Sequence, residues 1–116
     1  MGILVHRLAS AAATDNSTLI RVGANRLVGW HARASGTGVK FIKFYDKATA
    51  PLVGDTPILT IGISAGDMSE ITLPYGGIIV HAGLGYRITN GAGDADATAV
   101  AAGDMTMNIF FDGFPI

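Results

Sequence analysis

The sequence predicts an all-β fold, an antiparallel β-sandwich or jelly roll of about eight strands, from three observations. Apolar and polar residues alternate in short runs, a strand length rather than a helix length. Clusters of Gly, Pro, Asn, Asp and Ser punctuate those runs. Glycine occurs 16 times in 116 residues, about twice its usual share of roughly 7%. A chain of 116 residues builds a single hydrophobic core, so residues 1–116 read as one domain with an extended N-terminal segment and a short apolar C-terminal tail.

The strands follow in order. Gly2 to Leu8 carries the first apolar run, and Ser17 to Val22 lies between the Asp15-Asn16 and Gly23-Ala24 turns. Arg26 to Ala34 alternates with Val28, Trp30 and Ala32 on its expected inward face. In Val39 to Asp46, Ile42 and Phe44 share one face while Val39, Phe41 and Tyr45 share the other, so both faces are apolar. Either this strand is covered on both sides within one sandwich, or one face meets another subunit. Ile58 to Ser64 points Leu59, Ile61 and Ile63 inward, and Met68 to Leu73 and Gly77 to His81 are two further short runs. Gly83-Leu84-Gly85 reads as a turn leading into Tyr86 to Thr89, whose Tyr86 and Ile88 face the core. Met105 to Asp112 shows the clearest alternation, with Met105, Met107, Ile109 and Phe111 inward. Between the last two strands, Asn90 to Gly103 is rich in alanine and glycine and reads as a long surface loop. Ala65 to Met68 and Ala102 to Met105 share the sequence Ala-Gly-Asp-Met, each leading into a strand, as one turn chemistry used twice.

Composition narrows the function classes. Charged residues make up 15% and hydrophobic residues 49%, against about 25% charge in ordinary soluble domains. So few polar side chains cover a small globule poorly, which predicts a homo-oligomer or a docked subunit. A net charge of −1 lacks the basic footprint of a nucleic-acid binder. No cysteine is present, which removes disulfides, thiolate metal sites and cysteine nucleophiles. Met1 to Ala13 does not have the pattern of a signal peptide, and Ile71 to Tyr86 is broken by Pro74 and glycines, so neither export nor a membrane partner is expected.

Reactive constellations are sparse. His6, His31 and His81 are not spaced as a metal pair, and no Gly-x-Ser-x-Gly elbow accompanies the Ser, His and Asp residues. Asp94 and Asp96 hint at a calcium loop but lack its glycine and distant glutamate, and read instead as turn acceptors. The glycines of 83–85 and 91–93 do not extend to a phosphate-binding fingerprint. Asn16-Ser17-Thr18 matches a glycosylation sequon and is set aside for want of a signal peptide. No catalytic, cofactor-binding or metal residue is therefore assigned, and no cofactor is expected. Trp30, Phe41, Tyr45, Tyr75, Tyr86, Phe110, Phe111 and Phe114 read as core or interface anchors before a sugar platform.

Four stretches carry a family resemblance: Lys43-Phe44-Tyr45-Asp46-Lys47-Ala48; Pro51-Leu52-Val53-Gly54-Asp55-Thr56-Pro57; Gly83-Leu84-Gly85-Tyr86-Arg87-Ile88-Thr89-Asn90-Gly91; and Asp94-Ala95-Asp96-Ala97-Thr98-Ala99-Val100. Over residues 16–112 the chain resembles small virion proteins of tailed bacteriophages, of the capsid decoration or cement type. The resemblance implies a β-sandwich or jelly-roll subunit, commonly a homotrimer, that binds and stabilises the shell of the major capsid protein. It implies a virion location on the capsid surface after synthesis in the bacterial host cytoplasm, and it brings no catalytic residue. Some relatives of this kind belong to the tail, so the alternative is a fibre-associated receptor- or glycan-binding module using the aromatics and the Asn90 to Gly103 loop. Phe41, Tyr45, Phe110 and Phe114 are the expected subunit or capsid interface.

Overall fold

The computed structural model describes residues 2–113. Among the described residues nine strands form: β1 (Leu4–Ala9), β2 (Thr18–Val22), β3 (Asn25–Ala34), β4 (Lys40–Asp46), β5 (Leu59–Ile63), β6 (Met68–Thr72), β7 (Ile78–Val80), β8 (Gly83–Thr89) and β9 (Met105–Gly113). They build two antiparallel sheets, one in the order β1-β9-β3-β6 with β7 also on β3, the other β2-β8-β4-β5. The pairing is nested: β1 with β9, β2 with β8, β3 with β6 and β4 with β5. A long antiparallel ribbon rolled around one core produces that nesting, which is the jelly-roll winding.

Alternation explains the core. Met105, Met107, Ile109 and Phe111 line the inner face of the first sheet, opposite Ile42, Phe44, Leu84, Tyr86 and Ile88 of the second. Trp30 bridges the layers, its ring centroid 5.7 Å from that of Phe44 and its indole N–H donating to Ser69 Oγ at 3.0 Å. His6 Nε2 and the Tyr86 hydroxyl are hydrogen-bonded across the layers at 3.0 Å. Burial lowers the His6 pKa and raises that of Tyr86, so both groups are held neutral near pH 7.

Two local expectations are corrected. Val28 does not take the inward position. The register slips between Leu27, opposite Phe111, and Gly29, opposite Phe110, which makes Val28 the extra residue of a β-bulge. Leu27 fills the core before the bulge, and Trp30, Ala32 and Ala34 fill it afterwards. The slip falls where β3 changes partner from β7 to β6. Gly83-Leu84-Gly85 is strand, not turn. All seven residues of β8 are buried, and the glycines are required by close approach: a Cβ at Gly83 would stand 2.3 Å from the Lys47 carbonyl, and one at Gly85 2.9 Å from that of Thr18.

The repeated Ala-Gly-Asp-Met segments make matching turns. Asp67 N–H donates to Ser64 O at 2.9 Å and Asp104 N–H to Ala101 O at 3.1 Å. Gly66 at φ 80° and Gly103 at φ 72° occupy the third turn position, where type II geometry needs positive φ.

Candidate functional site

The second sheet turns Lys43 and Tyr45 of β4 and Gly85, Arg87 and Thr89 of β8 away from the core, yet all five are buried. Three segments of the same chain cover them: 10–17, 47–58 and 90–104. Lys43 and Arg87 stand directly opposite each other in the β4–β8 ladder. Like charges in a cross-strand pair repel, and here both side chains have no solvent exposure. Oxygen atoms of the covering segments compensate. Arg87 donates through Nε to the Asp15 carboxylate at 2.7 Å, through Nη1 to the Tyr45 hydroxyl at 3.0 Å, and through Nη2 to the Asp96 carbonyl at 2.6 Å. Lys43 Nζ donates to the Gly93 carbonyl at 2.5 Å.

The electrostatics follow from that placement. Burial, reinforced by the Arg87 charge, lowers the Lys43 pKa. Burial also opposes the Arg87 charge, but the bonds to Asp15 and Tyr45 outweigh it and hold the guanidinium ionised. The Asn90 to Gly103 segment is thus a lid bonded down onto two buried cations. Its own turn is closed by Asp96, whose carboxylate accepts from the Thr98 N–H at 2.9 Å and from the Thr98 hydroxyl. Those two bonds from Thr98 lower the Asp96 pKa.

The expected site residues separate. Tyr45 is 1% exposed and belongs to this covered network. Its ring is shut inside its own subunit and offers no surface to another, so the expected interface position is corrected. The cause is the lid, which buries the second apolar face of β4 within one chain. Phe41 is half-buried and lies across Gly62 of the edge strand β5, where a Cβ would come within 2.9 Å of its ring. Phe110 is half-buried on the outer face of the first sheet, opposite Val5 and Gly29. Phe114 lies outside the described residues. Neither Lys43, Arg87 nor Asp15 was singled out from the sequence, although a charged residue midway along each of two apolar strands is a signal that something polar covers it.

Elsewhere the polar groups are engaged locally. A cleft of about 400 Å³ opens between 37–40 and 90–104. Of its lining, Lys40 donates to the Thr37 carbonyl, Asn90 Nδ2 to the Ala99 carbonyl at 2.6 Å, and Asp104 accepts from the Ala101 N–H at 2.9 Å. The histidines stay apart: His6 faces the core layer, His31 sits opposite Asn108 and Glu70 on the first sheet, and His81 is exposed with its N–H on Asp46. Among the described residues no group of His, Asp or Glu could hold a metal ion. Asn16, the sequon asparagine, is buried and its Nδ2 donates to the Ala11 and Thr14 carbonyls.

Exposed apolar side chains are not spread evenly. Of the twelve large apolar side chains exposed among the described residues, Val39 and Met68 lie where β4 and β6 begin and Ile71 lies within β6, while the other nine are Ile3, Leu4, Val5, Val22, Leu52, Val53, Ile58, Tyr75 and Ile79. These nine lie at or beside the end of the sandwich where β1 begins, β2 turns into β3, β4 leads into β5, and β9 finishes. Asp46 ties this end together by accepting from the N–H groups of His81, Ala82 and Gly83. No protein family, curated protein or solved structure matches the chain.

Proposed function

We propose that this chain is a structural subunit of a bacteriophage particle, a capsid decoration or cement protein that docks on the shell of the major capsid protein. The observation that carries the reading is the apolar end just described. A rigid jelly roll that spends its buried cations on its own lid, and gathers nine of its twelve exposed large apolar residues at one end, is suited to adhesion through a preformed surface. Many identical weak contacts on a shell then add by multivalency. The resemblance in the Lys43–Ala48 and Gly83–Gly91 stretches points the same way.

The receptor- or glycan-binding alternative draws on a free Asn90 to Gly103 loop. That loop is held by Arg87, Lys43 and Asn90, which favours the decoration reading. The test is sedimentation of the purified protein with cognate capsids that lack it. Saturable, stoichiometric co-sedimentation is the expected result, weakened by Val5→Ser and Ile79→Ser. Failure to bind capsids, together with adsorption to host cells, would replace this reading with the tail or fibre one.

A further inference from the structure

We propose that copies of this chain join head to tail, with β1 of one copy pairing with β6 of the next so that the first sheet runs on from subunit to subunit. The contact deepens the decoration reading, and rests on it for its biological use alone. β1 and β6 are the two ends of the path β1-β9-β3-β6, and neither has a strand on its far side among the described residues. Both ladders run without a register slip. Neither strand contains Pro, Lys or a bulge, the devices that ordinarily block edge pairing. In the second sheet, edge β2 is bulged between Leu19 and Arg21, and edge β5, equally free of Pro, Lys and bulge, carries no charged residue that could select a partner.

Direction and charge select the partner. Three antiparallel steps separate β1 from β6, so the two strands run in opposite senses. Placing β1 of a second copy beside β6 therefore continues the antiparallel alternation. On the outer face one row crosses the sheet as Arg7, Asn108, His31 and Glu70. It begins with a cation on one edge and ends with an anion on the other. Both side chains are exposed, and among the described residues neither makes an ion pair with its own chain. Two like edges would set Arg7 beside Arg7 or Glu70 beside Glu70, whereas the head-to-tail joint sets Arg7 of the next copy opposite Glu70.

The same register covers apolar surface that the edges leave open. With Arg7 of the next copy opposite Glu70, its Leu4 falls opposite Leu73, and Ile71 lies diagonally between its Leu4 and Leu8. Leu4 is 45% and Ile71 41% exposed although both point to the core side, because each lacks a neighbour beyond its edge. A head-to-tail contact of this kind closes into a ring when its rotation permits.

Light scattering across a dilution series, on wild-type protein and charge-reversal variants, tests the joint. An oligomer that dissociates on dilution is expected. Arg7→Glu and Glu70→Arg should each weaken assembly by about tenfold or more, because each turns an attraction into a repulsion. The double variant R7E/E70R should restore it. Cooperative melting of the dissociated variants at the Tm of dilute, monomeric wild-type protein will show that folding is intact, since both positions are exposed. A monomer at every concentration, an oligomer indifferent to both reversals, or a double variant no better than the singles would overturn the joint. Capsid sedimentation is a separate readout: a monomer that binds shells defeats the joint alone, and a ring that ignores shells defeats the decoration reading alone.

Discussion

Replacing Arg87 by methionine tests whether the lid is held by buried charge. The substitution keeps most of the side-chain volume but removes the donors to Asp15, Tyr45 and the Asp96 carbonyl. Two of those acceptors are neutral, and the Asp15 side chain keeps 20% exposure, so its carboxylate regains water when the guanidinium is lost. Hydrogen bonds to a charged group are worth about 1.5–3 kcal/mol each, and removing one partner of a buried ion pair costs about 3–5 kcal/mol. Relief of the repulsion with Lys43, directly opposite, returns up to about 1 kcal/mol. A net loss of about 3 kcal/mol follows, a large part of the roughly 5–15 kcal/mol that holds a domain together. For a chain of this length that lowers Tm by about 12 °C. Calorimetry measures the loss, and limited proteolysis should show first cleavage within 90–103. A variant that melts within about 3 °C of wild type, with that segment equally protected, would refute the claim that these cations hold the lid.

Tyr45→Phe removes only the hydroxyl that accepts from Arg87, so it should cost about 0.5–1.5 kcal/mol by thermal melting and leave the native mass unchanged; a change in oligomeric state would restore Tyr45 to an interface. Burial raises the Asp46 pKa, but the backbone N–H donors from 81–83 outweigh it and the folded value is lowered. Its contribution is therefore complete above the ordinary carboxylate pKa of about 4 and is lost as pH falls through the folded value. Asp46→Asn should flatten the acid limb of the Tm–pH curve, and parallel limbs would contradict that. Gly77→Ala forces an L side chain to φ 81° and puts a Cβ 2.1 Å from the Leu27 carbonyl; a loss of more than about 2 kcal/mol in chemical denaturation is expected, with detachment of β7 seen in amide exchange.

The strand order along the chain was legible in the sequence because local chemistry governs it. Period-two alternation in Met105 to Asp112 and turn residues at Gly23-Ala24, Ala65-Gly66 and Ala102-Gly103 mark elements through neighbouring residues alone. All nine strands form near their expected places, and Met105, Met107, Ile109, Tyr86 and Ile88 are buried as their spacing predicts. Composition likewise foreshadowed a surface short of charge, which is shorter still once Lys40, Lys43 and Arg87 prove buried.

Only the tertiary structure decided what lies against each face. Whether the second face of β4 meets solvent, a partner or its own chain depends on where 90–104 folds, and that segment reaches Lys43 from 50 residues away. The bulge at Val28 follows from β3 changing partners, which no window within β3 contains. The burial of Gly83 to Gly85 follows from carbonyls of Lys47 and Thr18 closing over them. The opposed edges Arg7 and Glu70 likewise become ends of one row only when the ribbon is rolled. Alternation and turn chemistry act over a few residues and so are written locally, whereas covering, close approach and edge complementarity arise between segments far apart in the chain.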